Sequence, residues 1–165
     1  DGKDENLSPY AWMKAKMVEL IKNYSDWFDL KYEITYFYNA YGPGQVRTGD
    51  YATVIGIFEE QYSKGEPLTV VEPGNQTRDF THINDIVNGI ILTTEKGQQG
   101  EYPLGTAISH KIIDVAKMFK HKYVMIPERR GERFYGKAIP SLTYQHLGWK
   151  AKIKLEDYIA KIISN

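Results

Sequence analysis

Two kinds of hydrophobic spacing alternate along this chain, and that alternation limits the folds open to it. Helical spacing after Ser8 gives way to period-two spacing in KYEITYFY, residues 31–38, and the exchange repeats toward the C-terminus. Strands that alternate with helices are typical of α/β proteins. We therefore predict an α/β chain with these elements: a helix from Pro9 to about Asn23–Asp26, strands at 31–38, 67–71 and 123–126, helices at 51–62, 111–119 and 155–163, and a helix capped by Asn84.

The first predicted helix carries a tyrosine and a lysine on one face. Ser8 is a favourable N-cap and Pro9 suits the first helical turn, so Tyr10 and Lys14 become i,i+4 neighbours. A nearby ammonium stabilises a phenolate, and such a pair can exchange a proton with an alcohol while a cofactor takes the hydride. The composition also predicts about one Tyr-x-x-x-Lys pair by chance. For the pair taken alone, an ordinary surface helix is the alternative.

Two further segments place polar side chains at turns. FYNAYGPGQ puts Asn39 just after the first predicted strand, where α/β proteins bind ligands, although a plain turn explains the same residues. Arg78 follows the turn EPGNQT, and its guanidinium suits phosphate oxygens. A surface ion pair between Arg78 and Asp79 is the alternative there.

An arginine cluster lies late in the chain, in PERRGERF at residues 127–134. Its three guanidiniums surround Gly131 and suit a diphosphate. A solvated charged loop accounts equally well for the same residues.

The composition excludes several other classes of protein. Lys+Arg and Asp+Glu both number 21, so no net charge marks a surface for nucleic acid or an anionic membrane. The chain has no cysteine, and its four histidines are scattered without metal-ligand spacing. Its longest apolar stretches are too short to span a bilayer. We expect no metal site, no nucleic-acid partner and no membrane segment.

Taken in order, the motifs resemble the extended short-chain dehydrogenase/reductase family, specifically its NAD-dependent nucleotide-sugar epimerases and dehydratases of the UDP-glucose 4-epimerase type. Five segments carry the resemblance: SPYAWMK at 8–14, YFYNAYGP at 36–43, GNQTRDFTHIND at 74–85, RRGE at 129–132 and LGW at 147–149. The resemblance runs over almost the whole chain.

The resemblance implies a reaction and a set of roles. Bound NAD would take a hydride from sugar C4, the 4-keto sugar would rotate, and the hydride would return to the other face. Tyr10 would be the catalytic acid/base, Lys14 its activator and a ligand of the nicotinamide ribose, and Tyr38 a neighbour of the nicotinamide. The nucleotide-sugar, a UDP-hexose or a related NDP-hexose, would be bound by Asn39, Tyr51, Thr69, Val71, Arg78, Arg129 and Glu132, with Arg78 chiefly at the diphosphate.

The resemblance also implies an incomplete enzyme. The sequence has no G-x-x-G-x-x-G turn, which holds the dinucleotide pyrophosphate in Rossmann folds. We expect the chain to be the C-terminal part, 1–165, with the N-terminal dinucleotide-binding half absent: 1–45 the active-site helix and a late Rossmann strand, and 46–165 mainly the smaller α/β substrate-binding domain. The isolated chain would be inactive and would not bind NAD tightly. A cytoplasmic location and a homodimer through the first helix are further implications.

Two alternatives stay open from the sequence. One is a dTDP-glucose 4,6-dehydratase-like enzyme, whose distinguishing residues would lie in the absent half. The other is a non-catalytic domain that binds nucleotide-sugars or a protein. Departures from the family pattern bear on substrate preference: Tyr36 stands where the family usually has Arg, and Glu132 where it usually has Asp. His82 and Asn84 also vary the family's segment at 74–85.

Overall fold

The computed structural model describes residues 8–128 and 134–164. Within these ranges helices and strands alternate as the hydrophobic spacing predicts. The elements, in chain order, are α1 (Pro9–Phe28), β1 (Ile34–Phe37), β2 (Ala40–Tyr41), α2 (Val54–Ser63), β3 (Leu68–Val71), β4 (Thr77–Asp79), β5 (Thr81–His82), α3 (Ile83–Lys96), β6 (Glu101–Leu104), β7 (Ser109–Lys111), α4 (Ile112–Met118), β8 (Tyr123–Ile126), α5 (Ser141–Leu147) and α6 (Leu155–Ser164).

The strands of the described ranges form four pairs, and three of these are parallel. Strand β1 pairs with β6, β2 with β5, and β3 with β8, whereas β4 and β7 are antiparallel. Parallel pairing needs crossover connections, which the intervening helices provide. The predicted α/β class is therefore confirmed.

Two hydrophobic cores hold these elements together. The larger joins α2, β3, α4 and α6, and its centre includes Phe58, Val70 and Phe119. The smaller joins α3, β6 and the segment after α5, around Leu104 and Trp149. Because β1 pairs with β6, the first predicted strand lies on the side of the smaller core. The division at residue 45 stays a prediction.

Helix α1 differs from the others because none of its residues is buried within the described part of the chain. It begins as predicted: the Ser8 hydroxyl accepts a hydrogen bond from the Ala11 N–H at 3.2 Å, and Pro9 occupies the first turn. It ends at Phe28, later than predicted, where Asp29 adopts a left-handed conformation with φ 52°. Several large apolar side chains on α1 are exposed, among them Trp12 and Trp27.

The predicted cap of α3 is wrong by two residues. His82, not Asn84, is the N-cap, and its Nδ1 accepts a hydrogen bond from the Asn84 N–H at 3.1 Å. Asn84 was favoured because asparagine is a common cap, whereas an imidazole with a free ring nitrogen serves the same purpose here. Strand β6 and helix α5 were not predicted, since Pro103 interrupts the strand pattern and α5 is short.

Candidate functional site

The Tyr-Lys pair lies on one solvent-facing side of α1. Lys14 Nζ is 5.7 Å from the centre of the Tyr10 ring, as the i,i+4 spacing requires. The Tyr10 side chain is 66% exposed and Lys14 is also exposed. A phenol hydroxyl and an ammonium are therefore presented together to any molecule that approaches this side of the helix.

Asn39 is held at the end of β1 by an unusual backbone conformation and a side-chain hydrogen bond. Its φ is 31°, which lets the chain turn sharply after the strand. Its Nδ2 donates to the carbonyl oxygen of Asp79 at 2.9 Å. The Thr81 N–H completes the junction by donating to the carbonyl of Tyr38 at 3.2 Å. The structure thus brings Tyr38 and Asn39 beside strand β4, which carries Arg78.

Arg78 is half-buried in β4, opposite His110 of β7. Its Nη1 donates to the carbonyl of Thr77 at 2.9 Å. This contact ties the guanidinium to its own strand. Asn39 and Arg78 were predicted separately, and the fold makes them neighbours.

Asp79 is fully buried, so it is not a surface residue as the ion-pair interpretation assumed. Its carboxylate accepts four hydrogen bonds: from the Thr106 N–H and hydroxyl at 2.9 and 2.6 Å, the Ala107 N–H at 2.8 Å and the Ala138 N–H at 3.1 Å. A buried carboxylate is tolerated when its oxygens are satisfied in this way. Asp79 therefore connects β4, the strand of Arg78, to the segments that contain Thr106 and Ala138. The sequence alone gave no signal for this role.

Thr69 and Val71 lie on a different sheet, the β3–β8 pair. Both are half-buried. Gln61 of α2 fixes Thr69 by donating to its hydroxyl at 2.9 Å and accepting from its N–H at 3.0 Å. Tyr51, in the loop before α2, is 91% exposed. The other two predicted ligands of the nucleotide-sugar, Arg129 and Glu132, lie outside the described residues.

Tyr36, where the family pattern usually has Arg, takes part in a polar bridge. Its hydroxyl donates to Glu101 Oε2 at 2.7 Å, and Lys22 Nζ lies 2.5 Å from Glu101 Oε1. Burial and this hydrogen bond raise the pKa of the Tyr36 phenol, while the Lys22 ammonium and the Tyr36 hydroxyl lower the pKa of Glu101. The bridge connects α1, which carries Tyr10, to β1 and β6.

Metal-ligand clusters and membrane-spanning helices are both absent from the described part of the chain. Across residues 8–128 and 134–164, no three His, Asp or Glu side chains are grouped as ligands for a metal ion. No helix in those ranges combines the length and the apolar character that a bilayer crossing requires.

Comparison with known protein families identifies the class of protein to which this fold belongs. The model of the NAD dependent epimerase/dehydratase family matches residues 1–105, and the chain belongs to this family. The family expected from the motifs is confirmed. The parallel strands and helices of this chain correspond to the C-terminal portion of the epimerase structures.

Individual relatives narrow the comparison. A putative UDP-glucose 4-epimerase of Methanocaldococcus jannaschii is 29% identical over 175 residues, which cover 98% of this chain and 55% of that protein. UDP-glucuronic acid decarboxylase 3 of Arabidopsis thaliana is 28% identical over 144 residues, which cover 84% of this chain and 42% of that protein. A UDP-glucose 4-epimerase of Thermotoga maritima, solved with UDP-glucose, is 26% identical with a TM-score of 0.86, over 95% of this chain and 52% of that one. The chain spans about half the length of these relatives.

Proposed function

We propose that this chain is the substrate-binding portion of an NAD-dependent nucleotide-sugar 4-epimerase, in which Tyr10 is the acid/base and Lys14 its activator. The observation that carries the proposal is the exposed pair on α1, with Lys14 Nζ 5.7 Å from the Tyr10 ring centre. An acid/base must reach its substrate, and the 66% exposure of Tyr10 meets that requirement.

The described residues fit the nicotinamide end of NAD. Lys14 offers an ammonium that can donate to ribose hydroxyls, and Tyr38 follows β1 where an α/β sheet binds its ligand. When bound, NAD supplies the acceptor and donor of a hydride at sugar C4. Tyr10 accepts the proton of the C4 hydroxyl and later returns it, and Lys14 is the charged neighbour that is proposed to activate Tyr10.

Arg78 and Asn39 are proposed to bind the substrate's diphosphate and sugar. The Arg78 guanidinium provides charge-assisted hydrogen bonds to phosphate oxygens. The Asp79 backbone carbonyl orients the Asn39 amide at 2.9 Å, and the Asp79 carboxylate holds the strand in place. A rigid support of this kind reduces the ordering cost of binding.

The nucleotide is proposed to be UDP, with Thr69 and Val71 beside its base and Glu132 facing its ribose. Arg129 would contact the nucleotide-sugar, and Tyr51 lies in the loop that would close over the nucleotide. Support comes from the names of both sequence relatives, which contain UDP, and from the UDP-glucose in the Thermotoga maritima structure.

The isolated chain is proposed to be inactive and to bind NAD only weakly, because the family's pyrophosphate-binding glycine turn is not in this sequence. Catalysis would then need the dinucleotide-binding half that the resemblance implies. The homodimer through α1 and the cytoplasmic location implied by the resemblance belong to the same proposal.

The experiment has two arms. The purified chain is titrated calorimetrically with UDP-glucose, where Arg78→Ala should lose binding and Lys96→Ala, an exposed lysine at the end of α3, should not. Tyr10→Phe is then assayed in the enzyme completed by its dinucleotide-binding half, where it should abolish turnover and spare UDP-glucose binding. Turnover that survives in Tyr10→Phe excludes Tyr10 as the acid/base. NAD-dependent turnover by the 165-residue chain alone contradicts the proposed inactivity.

A further inference from the structure

Helix α2 carries a buried carboxylate that the proposed reaction does not use. Glu59 is 3% exposed, and a carboxylate at that depth is costly unless several donors surround it. Two of its neighbours, Gln45 and Arg47, come from the loop between β2 and α2. A third, Tyr158, comes from the C-terminal helix α6.

The two oxygens of Glu59 have different partners. Oε1 accepts hydrogen bonds from Gln45 Nε2 and from the Tyr158 hydroxyl, both at 2.7 Å. Oε2 lies 3.0 Å from Arg47 Nη2, an ion pair that lacks hydrogen-bond geometry. The Glu59 side chain therefore holds the loop by a neutral contact with Gln45 and a charged contact with Arg47. Its contact with Tyr158 connects it to α6.

The far end of the same loop is tied to the same residues. Thr53 donates its hydroxyl proton to Gln45 Oε1 at 2.8 Å, and the Thr53 N–H donates to the Val46 carbonyl at 3.2 Å. The Thr53 hydroxyl also caps α2 by accepting from the Gly56 N–H at 3.0 Å. Both ends of the arc 45–53 are thus locked onto α2, and Tyr51 lies between them, 91% exposed.

We propose that Glu59 is a positioning residue of the nucleotide site: its buried carboxylate holds the arc 45–53 in the form from which Tyr51 reaches the nucleotide. This inference rests on the proposed function, because Tyr51 is a nucleotide ligand only in that scheme. Glu59 itself lies behind the loop, and it acts on the substrate through Gln45 and Arg47.

The chemistry of the contact explains why a carboxylate is required. Two donors hydrogen-bond to Oε1 of Glu59, and the Arg47 guanidinium lies beside Oε2. Both carboxylate oxygens only accept. A glutamine of the same shape has one acceptor oxygen and two N–H donors, so its amide would face either Arg47 or the Gln45–Tyr158 pair with the wrong polarity. Burial and the Glu59 hydrogen bond raise the pKa of Tyr158, which is consistent with a Tyr158 hydroxyl that keeps its proton and donates it.

The test compares Glu59→Gln with Glu60→Gln, which removes the same charge one residue along α2 and affects only a pair with Lys64. Chymotrypsin cleavage after Tyr51, followed by mass spectrometry, reports the order of the arc without any ligand. Calorimetric titration of the purified chain with UDP reports the nucleotide site. Glu59→Gln should be cleaved faster and should weaken UDP binding, each by roughly fivefold or more. Glu60→Gln should match the wild type in both.

A second variant decides the question if Glu59→Gln does not fold. Arg47 is half-exposed, so Arg47→Ala spares the core and should shift cleavage and UDP affinity in the same direction. Wild-type values for both measurements in Glu59→Gln, or in Arg47→Ala where the first variant is unfolded, overturn the positioning role alone. A wild-type chain that does not bind UDP overturns the proposed function together with this inference.

Discussion

The indole Nε1 of Trp149 donates a 3.0 Å hydrogen bond to the carbonyl oxygen of Asp85. The Asp85 carboxylate in turn accepts from the N–H groups of Lys152 and Ile153, both at 2.9 Å. One residue in the first turn of α3 therefore fixes the chain between α5 and α6.

We expect Asp85→Ala to lower the free energy of unfolding by about 2–4 kcal/mol, because two backbone N–H groups lose their acceptor. Asp85→Asn, which keeps one acceptor oxygen, should cost less. Asn88→Ala, at an exposed position of the same helix, is the matched control. Urea denaturation of the three variants measures the differences, and equal stability of Asp85→Ala and the control would show that the contact contributes nothing.

His82 predicts a dependence of stability on pH. Burial lowers the pKa of its imidazole, an effect partly offset by the Asp85 charge and reinforced by Lys161. Since the folded pKa lies below the unfolded value of about 6.5, the unfolded state binds more protons in that window. Stability should be fully present above about pH 6.5 and should fall as the pH drops below it, since protonation removes the acceptor that caps α3.

Urea midpoints at about pH 7.5 and about pH 5.5 measure this effect. His82→Asn replaces the imidazole with a cap that does not titrate, and it should narrow the difference between the two midpoints. His121→Gln, at a half-buried position outside α3, should leave the difference as in the wild type. If the two urea midpoints of His82→Asn differed as much as those of the wild type, groups other than His82 would cause the acid sensitivity.

The bridge of Lys22, Glu101 and Tyr36 predicts that stability also depends on pH in a second, more acidic range. The Lys22 ammonium, followed by the Tyr36 hydroxyl, lowers the pKa of Glu101, so the stability it contributes is present above the unfolded pKa of about 4.3 and is lost as pH falls through that range. Glu101→Gln should remove this part of the dependence.

At about pH 7, Glu101→Gln should lower the free energy of unfolding by at most about 1 kcal/mol, because both charged partners of the bridge are partly exposed. Glu19→Gln, which removes an exposed pair with Lys16 on the same helix, is the control and should change little. Thermal unfolding at about pH 7 and about pH 4 compares the variants. A Glu101→Gln variant with the wild-type acid response would contradict the assignment.

Local signals were enough to predict much of the fold. Ser8 and Pro9 gave the start of α1 correctly because a cap depends only on neighbouring residues. Strand β8 was predicted at its observed limits, 123–126, since its β-branched and aromatic residues are bounded by turns. Strand β6 was missed because Pro103 interrupts its pattern. The strand forms by pairing with β1, a partner far away in the sequence.

The candidate site shows the same limit. Tyr10, Lys14, Asn39 and Arg78 were predicted from short motifs that each carry recognisable chemistry. Asp79 and Glu59 were not, since an isolated acidic residue reads as a surface charge. Their importance comes from donors supplied by distant segments, which no local pattern reveals.

The pairing of β1 with β6 has a consequence for how the chain reaches this structure. Tyr36 and Glu101 are 65 positions apart in sequence, and a contact of that separation carries a large loop-closure entropy. Helix α2 and strand β3 are close neighbours in sequence and lie in the larger core. We expect the contact between α2 and β3 to form early in folding, and the junction that aligns the helix of Tyr10 with the sheet to form late.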